Sequence, residues 1–427
     1  MFATLLYNNN KYHHCYLFCI WCSFIICSLS STSCDHGKQA TTTFAKGSIS
    51  QEVYVWQRVW TPEVKEAVIS RAPTFNATTL LAAEIDFSNQ QWTTQPFSAP
   101  LTYAQNNSLK FALAFRIHSN AAKSRWSKSA IERVTQIIRH YSTYTKTIQV
   151  DYDCPSKKLS DYALFVAHLK AQFPDKKIEI TCLPDWLNYP EFSDLVSYTD
   201  RFIMQVHGVS GHGKGRALCN PDAAYEVALT CSKFQKPYLI ALPTYRHAVS
   251  YNDKEVITNI ASEGHYQYAN YEIAAANPHQ LAELMKRWHH QRPQLMEGII
   301  WYRLPVDTDR MNWTWSTLQQ VRQGNQPPQA KPEFIIDKLD DGNHTISITN
   351  PSQQHLEWPE KIYLTWQGFS ISQRLTKAYT TQAISRNKNM ILKWNHKTPY
   401  PISPGETIKL GSLRFTNPSP AITIEAL

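Results

Sequence analysis

Eight short apolar runs rich in β-branched and aromatic residues follow one another between Val53 and Asp307. They read VYVWQRVW (53–60), LLAAEIDF (80–87), LKFALAFRIH (109–118), TIQVDYD (147–153), KIEITCLPDW (177–186), DRFIMQVHG (200–208), KPYLIALPTY (236–245) and GIIWYRLPVD (298–307). Between several of them the apolar residues take helical spacing, over Lys128 to Tyr141, Leu159 to Phe173, Pro221 to Phe234 and Asn277 to Trp288. Pro221 suits a first helical position, with Asn220 as its N-cap. Strands alternating with helices imply parallel βα units. Eight such units within 50–321 predict a closed (β/α)8 barrel of the TIM type.

A chain of 427 residues is longer than one such barrel needs, so a second domain is expected. Asn312–Val321 reads as the closing helix, and RQGNQPPQAKPE (322–333) as a linker of Gln, Pro and charge. From there the pattern changes to short strands: FIIDKL, HTISITN, KIYLTWQ, MILKWN, ETIKLGSLRF and ITIEAL. Turn signals such as Asp341-Gly342 and Pro404-Gly405 separate them, which predicts a small all-β sandwich over 334–427. No row of exposed aromatics is evident in it, so a structural role is expected rather than carbohydrate binding.

Alternation within the barrel runs sorts their faces, because successive side chains on a strand point to opposite sides. Ile148, Val150 and Tyr152 share one face of the fourth run, and Gln149, Asp151 and Asp153 the other. Leu81, Ala83, Ile85 and Phe87 oppose Glu84 and Asp86; Phe111, Leu113, Phe115 and Ile117 oppose Arg116 and His118. The greasy faces belong under the helices. The polar faces then line the lumen toward the C-terminal strand ends, where barrels of this kind place their chemistry. By this parity the mouth collects Arg58, Glu84, Asp86, Arg116, His118, Gln149, Asp151, Asp153, Asp185, Gln205, His207, Tyr245, Trp301 and Arg303. Ion pairs such as Glu84 with Arg116 or Arg58 account for part of the set. The number of ionisable groups on inward faces exceeds what pairing alone requires.

The column Gln149-Val150-Asp151-Tyr152-Asp153 is the sharpest signal. Two neighbouring carboxylates repel, one pKa rises, and a protonated acid stands beside an ionised partner. Glycosidic cleavage needs such a proton donor; a cation site or a loop cap is the other reading of the pair. The column resembles the Asp-x-Asp-x-Glu strand of chitinase-like (family-eighteen type) glycoside hydrolases. On that resemblance Gln149 takes the first Asp, Asp151 the second, and Asp153 the catalytic Glu. Met204-Gln205-Val206-His207 falls on that family's Met-x-Tyr-Asp, and Trp301 on the tryptophan under the sugar. Asp153 is one methylene shorter than Glu, and Val206 and His207 replace the Tyr and Asp that acetamido-assisted catalysis uses. The barrel as a whole more closely resembles an uncharacterised family of exported bacterial proteins, domain of unknown function thirty-one forty-two, with a Trp-x-Arg first strand and the same Gln-x-Asp-x-Asp strand. That resemblance implies a barrel and carries no activity with it.

Trp56, Trp60, Trp92, Trp186, Trp301 and Tyr245 lie at or near strand C-termini, and flat aromatic faces suit the apolar faces of pyranose rings. Gly208 to Lys214 has phosphate-loop spacing, but Gly215 stands where Ser or Thr must ligate magnesium, so a mouth loop that binds an anion through its amides is expected instead. His207 and His212 have no third ligand fixed by the sequence; no metal and no cofactor are expected. The formal charge of +9 is scattered, with no run of five Lys or Arg, so a nucleic-acid partner is not expected and an anionic envelope polymer fits better.

Lys11, His13 and His14 precede the apolar run Cys15–Leu29, followed by Ser30, Ser31, Thr32, Ser33 and Cys34. The run is shorter than the roughly 20 residues that span a bilayer. It predicts a secretory signal over 1–34 and a periplasmic protein. Cys34 after Ser-Thr-Ser resembles a lipoprotein processing site, which would leave the protein membrane-anchored through lipid; a cleaved or uncleaved plain signal is the other outcome. Four cysteines follow it, Cys154, Cys182, Cys219 and Cys231, at no metal-knuckle spacing; buried thiols or one disulfide are expected.

These readings converge on a glycoside-hydrolase-like barrel acting on an envelope or environmental polysaccharide. Asp153 is the general acid, Asp151 its partner, and Glu84 or Asp185 the second carboxylate. Trp56, Arg58, Trp60, Asp86, Arg116, His118, Gln149, Trp186, Gln205, His207, Tyr245, Trp301 and Arg303 would hold the ligand. The alternative is a catalytically inactive glycan-binding or envelope-assembly protein.

Overall fold

The computed structural model describes residues 43–88, 91–106, 111–118, 126–208, 217–252, 255–261, 271–339, 342–367, 370–376, 378–385, 389–395, 400–415 and 421–427. The N-terminal segment with Cys34, and the loop 209–216 with His212, lie outside them.

Eight parallel strands close into a barrel: β1 (Ser50–Val55), β2 (Ala77–Ser88), β4 (Phe111–Ile117), β5 (Thr147–Tyr152), β6 (Lys177–Cys182), β7 (Arg201–Gln205), β8 (Tyr238–Pro243) and β12 (Met296–Tyr302). They pair in that order and β12 returns to β1. β3 (Gln91–Pro96) folds back antiparallel on β2. Helices intervene at α1 (Pro62–Arg71), α2 (Ser98–Asn106), α3 (Lys128–Tyr141), α4 (Leu159–Gln172), α5 (Glu191–Ser197), α6 (Pro221–Cys231) and α7 (Pro278–His290), with α3, α4, α6 and α7 where the spacing placed them. The Asn220 side chain accepts from the Asp222 and Ala223 amides, and Pro221 fills the first helical position. Ala130, Ile131, Val134, Ile137 and Ile138 form the buried stripe that seats α3 on the barrel.

The outer core joins the strand faces Ile148, Val150 and Tyr152 to Phe165, Val166 and Leu169 of α4. A separate inner cluster fills the lumen with Tyr54, Trp56, Leu81, Ala114, Ile203, Leu239, Ala241 and Ile300. Leu81 departs from strict alternation: a bulge in the β2–β4 register between Leu81 and Ala83 turns Leu81 inward while Ala83 and Ile85 stay outside. The seam between β12 and β1 is tight, for a Cβ on Gly298 would lie 2.3 Å from the Ser50 carbonyl oxygen.

At the floor, the end opposite the mouth, Arg201 on β7 reaches across the lumen. Its Nη1 lies 2.7 Å from Glu52 Oε1 on β1, and its Nη2 2.7 Å from Glu179 Oε1 on β6. Gln149 donates to Glu179 Oε2 at 3.0 Å and accepts the Tyr54 hydroxyl at 2.6 Å. Burial pushes the Glu179 carboxyl up; Arg201 works against that and Glu52 with it.

Between β8 and α7 the chain builds a small antiparallel sheet that strand alternation in the sequence had not revealed. It comprises β9 (Arg246–Tyr251), β10 (Ile257–Ala261) and β11 (Glu272–Ala275), with β9 central. α8 (Trp315–Arg322) ends the barrel, and Gln326 in the following segment donates to Glu283 at 2.7 Å. Two four-stranded antiparallel sheets follow. One runs β13 (Glu333–Lys338), β14 (Asn343–Thr349), β19 (Thr407–Phe415), β16 (Ser370–Leu375); the other β17 (Tyr379–Ser385), β18 (Asn389–Trp394), β15 (Lys361–Trp366), β20 (Ile422–Ala426). They share a core of Ile346, Ile348, Ile362, Leu364, Met390, Leu392, Leu410 and Leu413. β16 and β17, polar in sequence, are the two strands beyond the six expected. Cys154, Cys182, Cys219 and Cys231 are buried free thiols. Among the described residues no helix is long and apolar enough to cross a membrane.

Candidate functional site

Register builds the site. Glu84 on β2 pairs with Arg116 on β4, and Arg116 with Asp151 on β5, so the three stand in one row across the lumen wall. The Arg116 guanidinium bridges two carboxylates: Nη1 donates to Asp151 Oδ2 at 2.6 Å and Nη2 to Asp153 Oδ2 at 3.2 Å. The other Asp151 oxygen accepts from Thr181 Oγ1 at 2.7 Å and from Gln205 Nε2 at 3.3 Å. Asp151 is therefore saturated with donors and 3% exposed, whereas the Asp153 side chain keeps 34% of its surface open at the mouth. Burial, and next the negative charge of Asp151, push the Asp153 carboxyl up; Arg116 and His118 oppose this and are outweighed.

Glu84 behaves in the opposite way. Arg58 Nη2 lies 2.6 Å from one of its oxygens and His118 Nε2 3.5 Å from the other. Burial raises its pKa, but the hydrogen bonds from His118 and Arg58 win and bring it down to about 2. Of the two ion pairs expected for Glu84, the one with Arg58 forms, while Arg116 turns to the aspartates. A depressed carboxyl contributes stability above the unfolded-state value near 4.3 that is lost as pH falls toward 2. Glu84→Gln should thus cost roughly 2 kcal/mol at pH 7, discounted for the partly exposed Arg58, and almost nothing at pH 2. Urea melts at both pH values measure it, and a gap that stays constant would refute the assignment.

The opposite wall is aromatic. His207, just past β7, stacks on Tyr302 of β12 with centroids 5.4 Å apart and an interplanar angle of 15°. Its Nδ1 shares a hydrogen bond of 3.2 Å with the Tyr245 hydroxyl. Burial holds the His207 imidazole down at about 4 against the pull of Asp151, so it is neutral at pH 7. Trp56 meets Tyr302 edge-on at 5.5 Å and closes the layer beneath.

Structure and sequence parity part in several places. Trp60, Trp186 and Trp301 sit in the outer core on the helix side of the strands, at 8%, 1% and 0% exposure, and cannot touch a ligand in the lumen. On β12 both faces are apolar, Ile299 and Trp301 outside, Ile300 and Tyr302 inside, so hydrophobicity carried no sign of which faced in. Tyr302 is the lumen residue there. Arg303 is buried against Asp309, 2.5 Å away, rather than lining the mouth. Asp185 lies beyond β6 on a short 3-10 turn, tied to the Ser156 hydroxyl. Gln149 belongs to the floor network. Asp86 turns a buried oxygen inward with no hydrogen-bond partner among the described residues. Thr181, missed in sequence, shares the inward parity of Glu179 on β6 and could have been counted. No three His, Cys, Asp or Glu side chains converge as a metal site among the described residues.

Residues 116–307 match the family model described as Domain of unknown function (DUF3142). No curated protein matches the chain. Among solved structures, the chain is similar to the spore cortex-lytic enzyme SleL of Bacillus cereus, at 12% identity and a TM-score of 0.48 over 66% of this chain and 75% of that one. It is also similar to a chitinase of Chromobacterium violaceum (12% identity, TM-score 0.44, 65% and 99% covered) and to chitinase ChiA74 of Bacillus thuringiensis (8%, 0.43, 88% and 100%). Each similarity is distant, and the chemistry of this mouth is read from its own residues.

Proposed function

We propose that the barrel mouth hydrolyses a glycosidic bond in an envelope or environmental polysaccharide, in a protein exported to the periplasm or held at the membrane through Cys34. The observation that carries this is the division of labour at Arg116. One aspartate is anchored by three donors; its neighbour is open to the mouth and pushed toward the protonated form. Asp153 is the general acid. Glu84 serves better than Asp185 as the second carboxylate, because it faces the mouth ionised while Asp185 is engaged with Ser156.

Glu84 and Asp151 share a row with β4 between their strands, two inter-strand spacings of about 4.8 Å apart, and Asp153 lies two residues further toward the mouth. That backbone separation exceeds the roughly 5–5.5 Å between the carboxyls of double displacement, so the route taken here is single displacement through a water. The water oxygen bonds to the anomeric carbon and its proton passes to Glu84. The glycosidic C–O bond breaks, and the leaving oxygen takes the Asp153 proton.

A second reading has its own support. The Arg116 contact to Asp153 also suits a mouth that holds glycan without turnover. Screening the purified protein against soluble amino-sugar and neutral β-glycans separates the two. Release of reducing ends with inversion at the new anomeric centre supports the proposal. Glycan binding without release, unchanged in Asp153→Asn, favours the silent form.

A further inference from the structure

We infer that the C-terminal sandwich is a brace for the barrel mouth, with Glu357 as the positioning residue that holds β9, and with it Tyr245 at the mouth, in place. Arg246, the first residue of β9, has a side chain only 11% exposed, and its guanidinium grips the exposed Glu357 of the sandwich with two bonds, of 3.0 and 2.5 Å. Tyr245, the preceding residue, is the one whose hydroxyl meets His207 Nδ1. The barrel segment behind it is clamped from the same side. The Arg246 amide donates to the Met311 carbonyl at 2.9 Å, and Tyr245 bridges Asn312. The neighbouring Arg310 then donates to the Pro401 carbonyl and to Glu406 at 3.0 Å, both in the sandwich. Gln354 adds a bond of 3.3 Å to Ser316 at the start of α8. Glu357 is thus hydrogen-bonded to Arg246, the peptide bond joins Arg246 to Tyr245, and the Tyr245 hydroxyl is hydrogen-bonded to His207.

The forked geometry matters. A bidentate guanidinium–carboxylate pair fixes orientation as well as distance. β9 needs such fixing because its sheet is small, only three strands, and stands off the barrel ring. The brace holds the mouth whether or not the site hydrolyses anything.

Hydrogen exchange on the full chain tests it, comparing wild type with Glu357→Ala and Glu357→Asp. In Glu357→Ala, amides of 244–251 and 272–276 should exchange about tenfold faster, while those of β5 and β6 keep wild-type protection, since exchange reports local opening. Glu357→Asp should recover most of the protection, and the His207 imidazole resonances should move in the Ala variant alone. Should Glu357→Ala fail to fold, Arg246→Lys, which keeps the charge and loses the fork, carries the same expectation. Unchanged exchange at the mouth, or equal acceleration in β5 and β6, overturns the brace.

Discussion

Asp153→Asn should lower hydrolysis by about 10²–10⁴-fold, the usual contribution of a positioned acid, while leaving the fold and glycan affinity near wild type. The side chain lies at the mouth, half-open, with one bond to Arg116, so its replacement by an isosteric amide disturbs little packing. Asp151→Asn gives the companion test through the pH profile. The Asp153 carboxyl is raised by burial and by the Asp151 charge, so the active, protonated form persists upward in pH and the rate falls as pH climbs through that value. Removing the Asp151 charge must shift that descending limb to lower pH. Should Asp153→Asn keep the wild-type rate on any cleaved glycan, the acid lies elsewhere. An upward shift in Asp151→Asn would contradict the electrostatic account.

Arg201→Met should cost about 3–5 kcal/mol of stability at pH 7, read as a lower midpoint in urea. The guanidinium neutralises Glu52 and Glu179, whose side chains are only 7% and 3% exposed. Without it two carboxylates face each other in the barrel floor. Glu179 already titrates high because of burial, and a raised acid favours the folded state at low pH and loses that advantage as pH rises. The deficit of Arg201→Met should therefore shrink as pH falls and Glu179 takes up its proton. A loss under about 1 kcal/mol at pH 7, or one independent of pH, would mean the floor relaxes around the missing charge.

The stretches where sequence was legible share a physical cause. On β5 the inner face is polar and the outer face apolar, so period-two alternation marked Asp151 and Asp153 as inward residues, and the structure places both at the mouth. The helices over 128–141 and 278–290 were readable because caps and apolar stripes act within a few residues of each other. On β12 the same method put Trp301 where Tyr302 is, because a strand covered on both faces is apolar on both. On β2 a bulge shifted the parity of Leu81, and one extra residue in a ladder leaves no trace in hydrophobicity.

The local pattern alone thus determined the barrel, four of its intervening helices and the closing one, the six most apolar strands of the sandwich and the acidic column of β5. These follow from interactions between residues close in the chain and from which faces must leave water. Pairings between distant residues were decided by the closed ring: Arg201 with Glu52, 149 positions apart across the floor, Arg116 between two aspartates, and Arg246 with Glu357, 111 positions apart. Whether an aspartate is saturated with donors or open to solvent depends on which strands become its neighbours, and neighbours in a barrel are set by tertiary register.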